Sequence, residues 1–216
     1  LDVHSAVALM DEPPEAPAHP PASLMAVPLF HATGSHAVYL ASYRHQRKLV
    51  CMYKWDPVIA AQMIEAEKIS TFIAPAAMTG DLVLEAQRSQ RDLSSLSSVG
   101  GGGAPRAPEQ VRNIEKSFAK ALPGTGWGMT ETSATVTSHS SEDYLNRPDS
   151  CGPPVAVSDI KIMAPDGSRE LPVGEVGELW ARGPQIVAGY WNNPEATAET
   201  FLNGWIRPGA LACPAE

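Results

Sequence analysis

Short apolar runs alternate with helically spaced apolar positions over the first two thirds of the chain. The runs at 24–29 and 71–77 are typical of buried strands, because both are short and bounded by turn residues. Helices are predicted over 81–88 and over 108–120, the second of which opens on a proline. Strands that alternate with helices favour an α/β fold, in which a sheet is flanked by helices.

A further helix is predicted between the two runs. Asp56 supplies an N-cap and Pro57 supplies the proline that is favoured in a first turn. The apolar spacing predicts a buried face that consists of Ile59, Met63, Ala66 and Ile69.

The pattern changes after about residue 150. Polar and apolar positions alternate at 159–163 and again at 175–182, which predicts two half-buried strands. The Asp166-Gly167 pair predicts a tight turn between them. Asn193-Pro194 predicts the start of a short helix. The last third of the chain is therefore expected to be mainly β.

Three segments follow from these patterns. Residues 1–23 hold five prolines, so a polyproline-like connector is predicted there. An α/β subdomain is predicted over 24–150 and a β-rich subdomain over 151–216.

Charge and cysteine content narrow the function classes. The 216 residues carry 16 basic and 24 acidic side chains, a net charge of -8, and no large basic cluster, so no binding to nucleic acid is expected. The stretch 16–43 lacks charged side chains, but its prolines exclude a membrane-spanning helix. Cys51, Cys151 and Cys213 are odd in number and form no CxxC motif, which favours a reducing cytoplasm.

Two stretches are chemically suggestive on their own. The glycines at 100–103 would let the backbone approach a flat ligand or a phosphate, and the alternative is a flexible surface turn. Residues 127–131 place an indole, a hydroxyl and a carboxylate together, which could stack a base, contact a phosphate and bind Mg²⁺. The alternative is a core tryptophan beside a helix cap. His31 follows a predicted strand and could equally be structural. The glycine-punctuated run Gly124-Thr-Gly126-Trp-Gly128 is interpreted by itself as a turn.

Four segments in a fixed order carry a family resemblance: VPLFHATG (27–34), GGGAP (101–105), GWGMTETSA (126–134) and GELWARGPQIVAGYWNNPEATAETFLNGW (177–205). With them, the chain resembles the acyl-CoA synthetase branch of the adenylate-forming enzymes over residues 24–207. The resemblance implies a fragment of that family's large domain, with the β-rich segment 151–216 belonging to a small barrel that is incomplete at its C-terminus.

The resemblance implies a two-step ligase reaction. A carboxylic acid reacts with ATP in the presence of Mg²⁺ to give an acyl-adenylate, and CoA then displaces AMP. Thr130 would contact the α-phosphate, Glu131 would hold Mg²⁺, and His31 would lie beside the acyl carboxylate. The full set implied to bind ATP or AMP is Gly101, Gly102, Gly103, Ala104, Pro105, Gly126, Trp127, Gly128, Met129 and Thr130. Among these, Trp127 would sit against the adenine, and it favours a medium- or long-chain fatty acid as the substrate.

The chain also departs from the family pattern. The Ser/Thr/Gly-rich phosphate loop that ends in lysine has no counterpart in the sequence. The resemblance also implies that the domain that supplies the catalytic lysine lies beyond residue 216. Residues 207–210 read Arg-Pro-Gly-Ala where the family has Arg-Thr-Gly-Asp, so the carboxylate that binds the ribose is missing. The alternative function is therefore a degenerate homologue that binds a ligand or partner without catalysis. Uncovered apolar surface on a fragment leads us to expect a homodimer.

Overall fold

The computed structural model describes residues 18–118 and 120–214, so most of the predicted connector lies outside the described residues. Two sheets organise this part of the chain. The strands of the first sheet are β1 (Ala22–Met25), β2 (Lys48–Cys51), β3 (Thr71–Ile73), β4 (Ser98–Gly100), β5 (Leu122–Trp127) and β6 (Thr137–Ser140). Their spatial order is β2-β1-β3-β4-β5-β6, with β6 antiparallel to β5 and the other pairs parallel.

Helices connect the parallel strands, as parallel pairing requires. Among the described residues, the helices longer than a single turn are α1 (π-helical over Thr33–Leu40, α-helical over Ala41–Arg44), α2 (Pro57–Glu67), α3 (Ala76–Arg88), α4 (Pro108–Ser117), α5 (Ser141–Asn146) and α6 (Pro194–Thr200). Of these, α1 to α4 each join two successive strands of the first sheet. The predicted sheet flanked by helices is confirmed.

The first core lies between this sheet and its helices. Its fully buried large side chains are Leu24, Ile64, Ile69, Phe72, Leu82, Leu96, Val99 and Ile114. Burying each such side chain stabilises the fold by about 1.5–3 kcal/mol relative to leaving it exposed. The core therefore fixes the strands whose ends form the site.

The N-cap of α2 is confirmed. Its predicted buried face is only partly right: Ile69 is fully buried and Met63 packs against the core, but Ile59 and Ala66 are exposed. The Asp56 carboxylate accepts hydrogen bonds from the backbone N–H groups of Val58 and Ile59. The residues of α2 that are buried are Ala60, Ala61 and Ile64, whereas Ile59 is 48% exposed. Because apolar residues occur almost all round this helix, spacing did not define one face, and tertiary packing selected the two small alanines.

The glycine-punctuated run at 124–128 was predicted to be a turn, but as far as Trp127 it lies in strand β5. Gly124 and Gly126 pair with Ser140 and Ser138 of β6. A Cβ on Gly126 would lie 2.5 Å from the backbone oxygen of Thr137. Gly126 is therefore needed because two backbones approach closely inside a sheet. In the sequence alone, such a glycine cannot be distinguished from the glycine of a turn.

Other differences concern where elements begin and end. The first strand begins two residues before the predicted run and ends before Pro28, and β3 is three residues long because α3 begins after Pro75. Helix α4 ends at Ser117 rather than near residue 120. The elements α1, β2, β6 and α5 were not predicted.

The second sheet is antiparallel and is built around β8. Its strands are β7 (Asp159–Met163), β8 (Gly177–Arg182), β9 (Phe201–Leu202), β10 (Trp205–Ile206) and β11 (Leu211–Ala212). The strands predicted at 159–163 and 175–182 and the helix after Asn193 are confirmed. The second core consists of Val136, Ile162, Leu179, Ala181 and Ile206. Since Val136 precedes β6 of the first sheet, the two sheets are tied together at this point.

Candidate functional site

A cavity of about 490 Å³ opens where the parallel strands β4 and β5 end. Carboxyl ends of parallel strands are the usual ligand sites of open α/β sheets. Three separate stretches line this cavity: His31 to Thr33, Gly100 to Gly103, and Gly124 to Glu131. The fold thus brings together the three regions that the sequence singled out, although nearly a hundred residues separate the first from the last.

Glycines form one wall of the cavity. Gly103 has a φ of +80°, and a Cβ there would lie 3.9 Å from Cε1 of His31. A Cβ on Gly101 would lie 2.3 Å from Nη2 of Arg106, whose buried guanidinium packs behind this backbone. Burial lowers the pKa of Arg106. The wall that faces the cavity therefore consists of bare glycine backbone, and the Arg106 side chain fills the space behind it.

Trp127 joins the cavity to the second core. It is half-buried, lines the cavity and packs against the second hydrophobic cluster. Its backbone N–H donates to Oγ1 of Thr137 at 3.2 Å, and its carbonyl accepts from the N–H of Val136 at 2.8 Å. Trp127 can therefore contact a ligand in the cavity and pack in the second core at the same time, so the two alternatives do not exclude each other.

A single turn of 3₁₀-helix over Thr130–Thr132 presents the polar groups of the site. The buried Thr132 anchors this turn, because its Oγ1 accepts from the backbone N–H of Met129 at 2.9 Å. The turn ends in two left-handed residues, Ser133 (φ +47°) and Ala134 (φ +91°). Thr130 is left exposed and Glu131 half-exposed at the cavity.

Glu131 is held by a segment from the second half of the chain. Tyr190 donates its phenol hydrogen to Oε1 of Glu131 at 2.7 Å, and the backbone N–H of Val187 donates to the carbonyl of Glu131 at 2.9 Å. The hydrogen bond to the carboxylate raises the pKa of the Tyr190 phenol. The sequence assigned no role to Tyr190, although it lies inside the fourth segment of the resemblance.

The remaining predicted residues differ in position. His31 is exposed at the cavity, and its Nδ1 accepts from the backbone N–H of Thr33 at 3.2 Å. Gly126, Gly128 and Met129 line the cavity, whereas Ala104 and Pro105 are exposed and lie outside its lining.

Sequence reasoning missed several polar residues of the cavity, among them a group that follows β5 in the chain: Thr135, Ser138, His139 and Ser140. They reach the site because β6 pairs with β5, a long-range pairing that no local signal indicates. His139 contacts the carbonyl oxygen of Ser150 through Nε2 at 2.8 Å, so this nitrogen carries the proton.

The donor set fits Mg²⁺ held jointly with a phosphate ligand. The residues at 18–118 and 120–214 contain no group of three or more His, Cys, Asp and Glu side chains that could hold a metal by themselves. Mg²⁺ is commonly bound through one or two carboxylates, with substrate phosphates and waters completing its coordination. Glu131 would supply the carboxylate and Thr130 a neighbouring hydroxyl.

The segment at 207–210 carries no carboxylate. The carbonyl of Ala210 accepts from the backbone N–H of Leu179 at 2.9 Å, and the Arg207 guanidinium lies 5.1 Å from the ring centre of Trp180. The segment is thus integrated into the second sheet, with alanine at the position where the resemblance expects aspartate.

In the described part of the chain, no helix is both long and apolar enough to cross a membrane.

Comparison with known proteins places this geometry in a family. The family model described as AMP-binding enzyme matches residues 3–191. The 4-coumarate–CoA ligase 5 of Oryza sativa subsp. japonica is 32% identical over 196 residues, which cover 87% of this chain and 36% of that protein. The chain therefore spans about a third of the length of this curated relative.

Solved structures show the same fold. The o-succinylbenzoate coenzyme A synthetase of Bacillus subtilis, in complex with ATP and magnesium ion, matches with a TM-score of 0.80 and 26% identity over 99% of this chain and 42% of that one. A long-chain-fatty-acid–CoA ligase from Archaeoglobus fulgidus matches with a TM-score of 0.80 and 26% identity over 90% of this chain and 41% of that one. By its sequence and its fold, the chain belongs to the AMP-binding enzyme family.

Proposed function

We propose that this chain forms the nucleotide and acyl site of an ATP-dependent acid–CoA ligase. One observation carries the proposal: the glycine wall, the Thr130-Glu131 pair and His31 surround one cavity. A solved relative with this fold holds ATP and magnesium ion, which supports the same ligands here.

The proposed reaction has two steps. First, an oxygen of the substrate carboxylate attacks the α-phosphorus of ATP, a C–O–P linkage forms, and the bond to pyrophosphate breaks. Second, the CoA thiol attacks the acyl carbon, a C–S bond forms, AMP leaves, and the thiol proton passes to solvent. Mg²⁺, when bound, supplies positive charge that neutralises the phosphates.

The chain's own residues bind and orient. The Thr130 hydroxyl would donate to the α-phosphate, where charge increases in the transition state. Glu131 would hold the metal, and the Gly101 to Gly103 backbone would separate the adenine from the acyl group. His31 would lie at the acyl carboxylate, because its ring lines the cavity beside Gly103.

For the acid, we propose a medium- or long-chain fatty acid. A long-chain-fatty-acid–CoA ligase shares the fold, which supports this class. The 4-coumarate and o-succinylbenzoate ligases among the relatives make planar aromatic acids the competing class.

ATP–pyrophosphate exchange tests the function and the acid class together. The panel runs from acetate to palmitate and includes 4-coumarate and o-succinylbenzoate. We expect exchange that requires Mg²⁺ and that Glu131→Gln abolishes, with Glu109→Gln, an exposed change on α4, as the matched control. Exchange that persists in Glu131→Gln would remove Glu131 from the reaction.

A second candidate function is ligand binding without catalysis. The observation that favours it is Ala210, which leaves the ribose without the carboxylate that the resemblance expects. AMP or ATP binding in calorimetry, together with no exchange for any acid, would favour this candidate over the ligase.

We also propose a cytoplasmic location and a homodimer. The three cysteines are free and exposed, as suits a reducing compartment. Large apolar side chains exposed around α1 support self-association.

A further inference from the structure

We propose that Tyr190 is a positioning residue that fixes the Glu131 carboxylate for Mg²⁺, an inference that rests on the proposed function. The contact joins residues 59 positions apart, from the turn after β5 to the loop before α6. It is the point at which the second half of the chain reaches the metal-binding group.

The Tyr190 contact restricts Glu131 while leaving it available. The phenol occupies Oε1 at 2.7 Å, and within the described part of the chain Oε2 accepts no hydrogen bond. The backbone of Glu131 is held separately by the N–H of Val187. A long, flexible side chain at the cavity is therefore fixed at both ends, with one oxygen free to bind a cation.

Tyr190 is itself held rigidly, as a positioning residue must be. Its backbone N–H donates to Oγ1 of Thr197 at 2.9 Å. Its ring meets the ring of Phe201 edge-on, with centroids 5.6 Å apart and planes at 64°. The preceding Gly189 has a φ of +152°, and a Cβ there would lie 2.5 Å from Cγ2 of Thr197. Helix α6 and strand β9 therefore fix the direction of the phenol.

A hydrogen bond that orients a metal ligand reduces the conformational freedom the ligand would lose on binding. Loss of such a bond commonly weakens metal affinity by about 10- to 100-fold. We therefore expect Tyr190 to act on the magnesium requirement specifically and to leave metal-free nucleotide contacts unchanged.

The test measures the magnesium dependence of ATP binding to the whole 216-residue chain. ATP binding is followed by calorimetry over a range of MgCl₂ concentrations for the parent and for Tyr190→Phe, which keeps the ring and removes the hydroxyl. We expect the half-saturating Mg²⁺ concentration to rise about tenfold or more. Binding of AMP without metal and the unfolding midpoint should not change. Tyr53→Phe, at a fully exposed tyrosine, is the matched control.

A double-mutant comparison tests whether Tyr190 acts through Glu131. In the Glu131→Gln background, Tyr190→Phe should cause no further change in the magnesium dependence. If Tyr190→Phe does not fold, Phe201→Leu loosens the phenol without touching Glu131, and we expect the same change in a smaller degree.

The outcomes separate this inference from the function on which it rests. No ATP binding by the parent chain overturns the proposed function, and with it the role of Tyr190. Magnesium-dependent binding that Tyr190→Phe leaves unchanged overturns the positioning role alone. Equal losses of AMP binding and magnesium-dependent ATP binding would show a structural role and would likewise overturn it.

Discussion

At the residue scale, the glycines of the cavity differ in what they require. Gly128 is the most constrained, because a Cβ there would lie 1.4 Å from the backbone oxygen of Ala134. Ala134 is already strained at a φ of +91°, so it has little freedom to move away. The turn that presents Thr130 and Glu131 therefore depends on Gly128.

We expect Gly128→Ala to destabilise the fold by about 1–3 kcal/mol or more, as overpacking does, and to weaken AMP binding because the turn must shift. Urea unfolding and calorimetry with AMP measure the two effects. Gly80→Ala on α3 is the matched control, since its Cβ would meet the Gln110 amide at 3.4 Å. That control should be neutral or stabilising by about 0.5–1 kcal/mol. Parent-like stability of Gly128→Ala would contradict the close contact.

At the element scale, the sequence predicted where helices begin better than which face they bury. The caps of α2 and α6 are local, because the Asp56 and Asn193 side chains bond the N–H groups of their own first turns. The buried face of α2 and strand β5 depend on distant partners. A capping residue can be recognised in the sequence because its partners are three residues away or closer, whereas tertiary packing decides which of several apolar faces is buried.

The loop between α3 and β4 holds a carboxylate, Asp92, whose contacts with Ser94 and with Lys68 at the end of α2 depend on pH. Hydrogen bonds from the hydroxyl and the N–H of Ser94, and one from Lys68, lower the pKa of the Asp92 carboxyl from 3.8 to about 2. A carboxyl whose pKa is lowered by folding stabilises the folded state at pH values above the pKa that it has in the unfolded chain. This contribution is lost as the pH falls from about 4 towards 2.

We accordingly expect the free energy of unfolding to fall with acidification in this window, and to fall less steeply in Asp92→Asn. Urea unfolding at a series of pH values measures both slopes. Asp143→Asn, at an exposed carboxylate of α5, is the control and should retain the parental slope. Identical slopes for Asp92→Asn and the parent would contradict the assignment.

At the scale of the whole molecule, the two sheets meet at the site. Trp127 and Met129 pack against the second core while they line the cavity, and Tyr190 reaches Glu131 from the loop before α6. The strands of the first sheet lie before residue 150 and those of the second sheet lie after it. The contacts of Trp127, Met129 and Tyr190 nevertheless connect the two parts of the chain at the cavity.

The exposed apolar surface around α1 is a second feature of the whole molecule. Phe30 is 90% exposed and Tyr43 is 83% exposed, and Tyr39 lies one helical turn before Tyr43. We expect self-association that increases with protein concentration in sedimentation velocity, and we expect Tyr43→Lys to reduce it. Glu109→Lys, a charge change on α4, is the control. A single monomeric species at every concentration would contradict the proposed homodimer.

Residue types and their spacing were enough to predict the alternation of strands and helices, the local caps and the motifs that identify the family. These properties depend on residue type and short spacing. Tertiary structure alone decided that β6 brings Ser138 and His139 to the cavity, and that Tyr190 binds Glu131. Such contacts join residues many positions apart. Their partners are chosen by sheet pairing and by the packing of two cores, which no local pattern specifies.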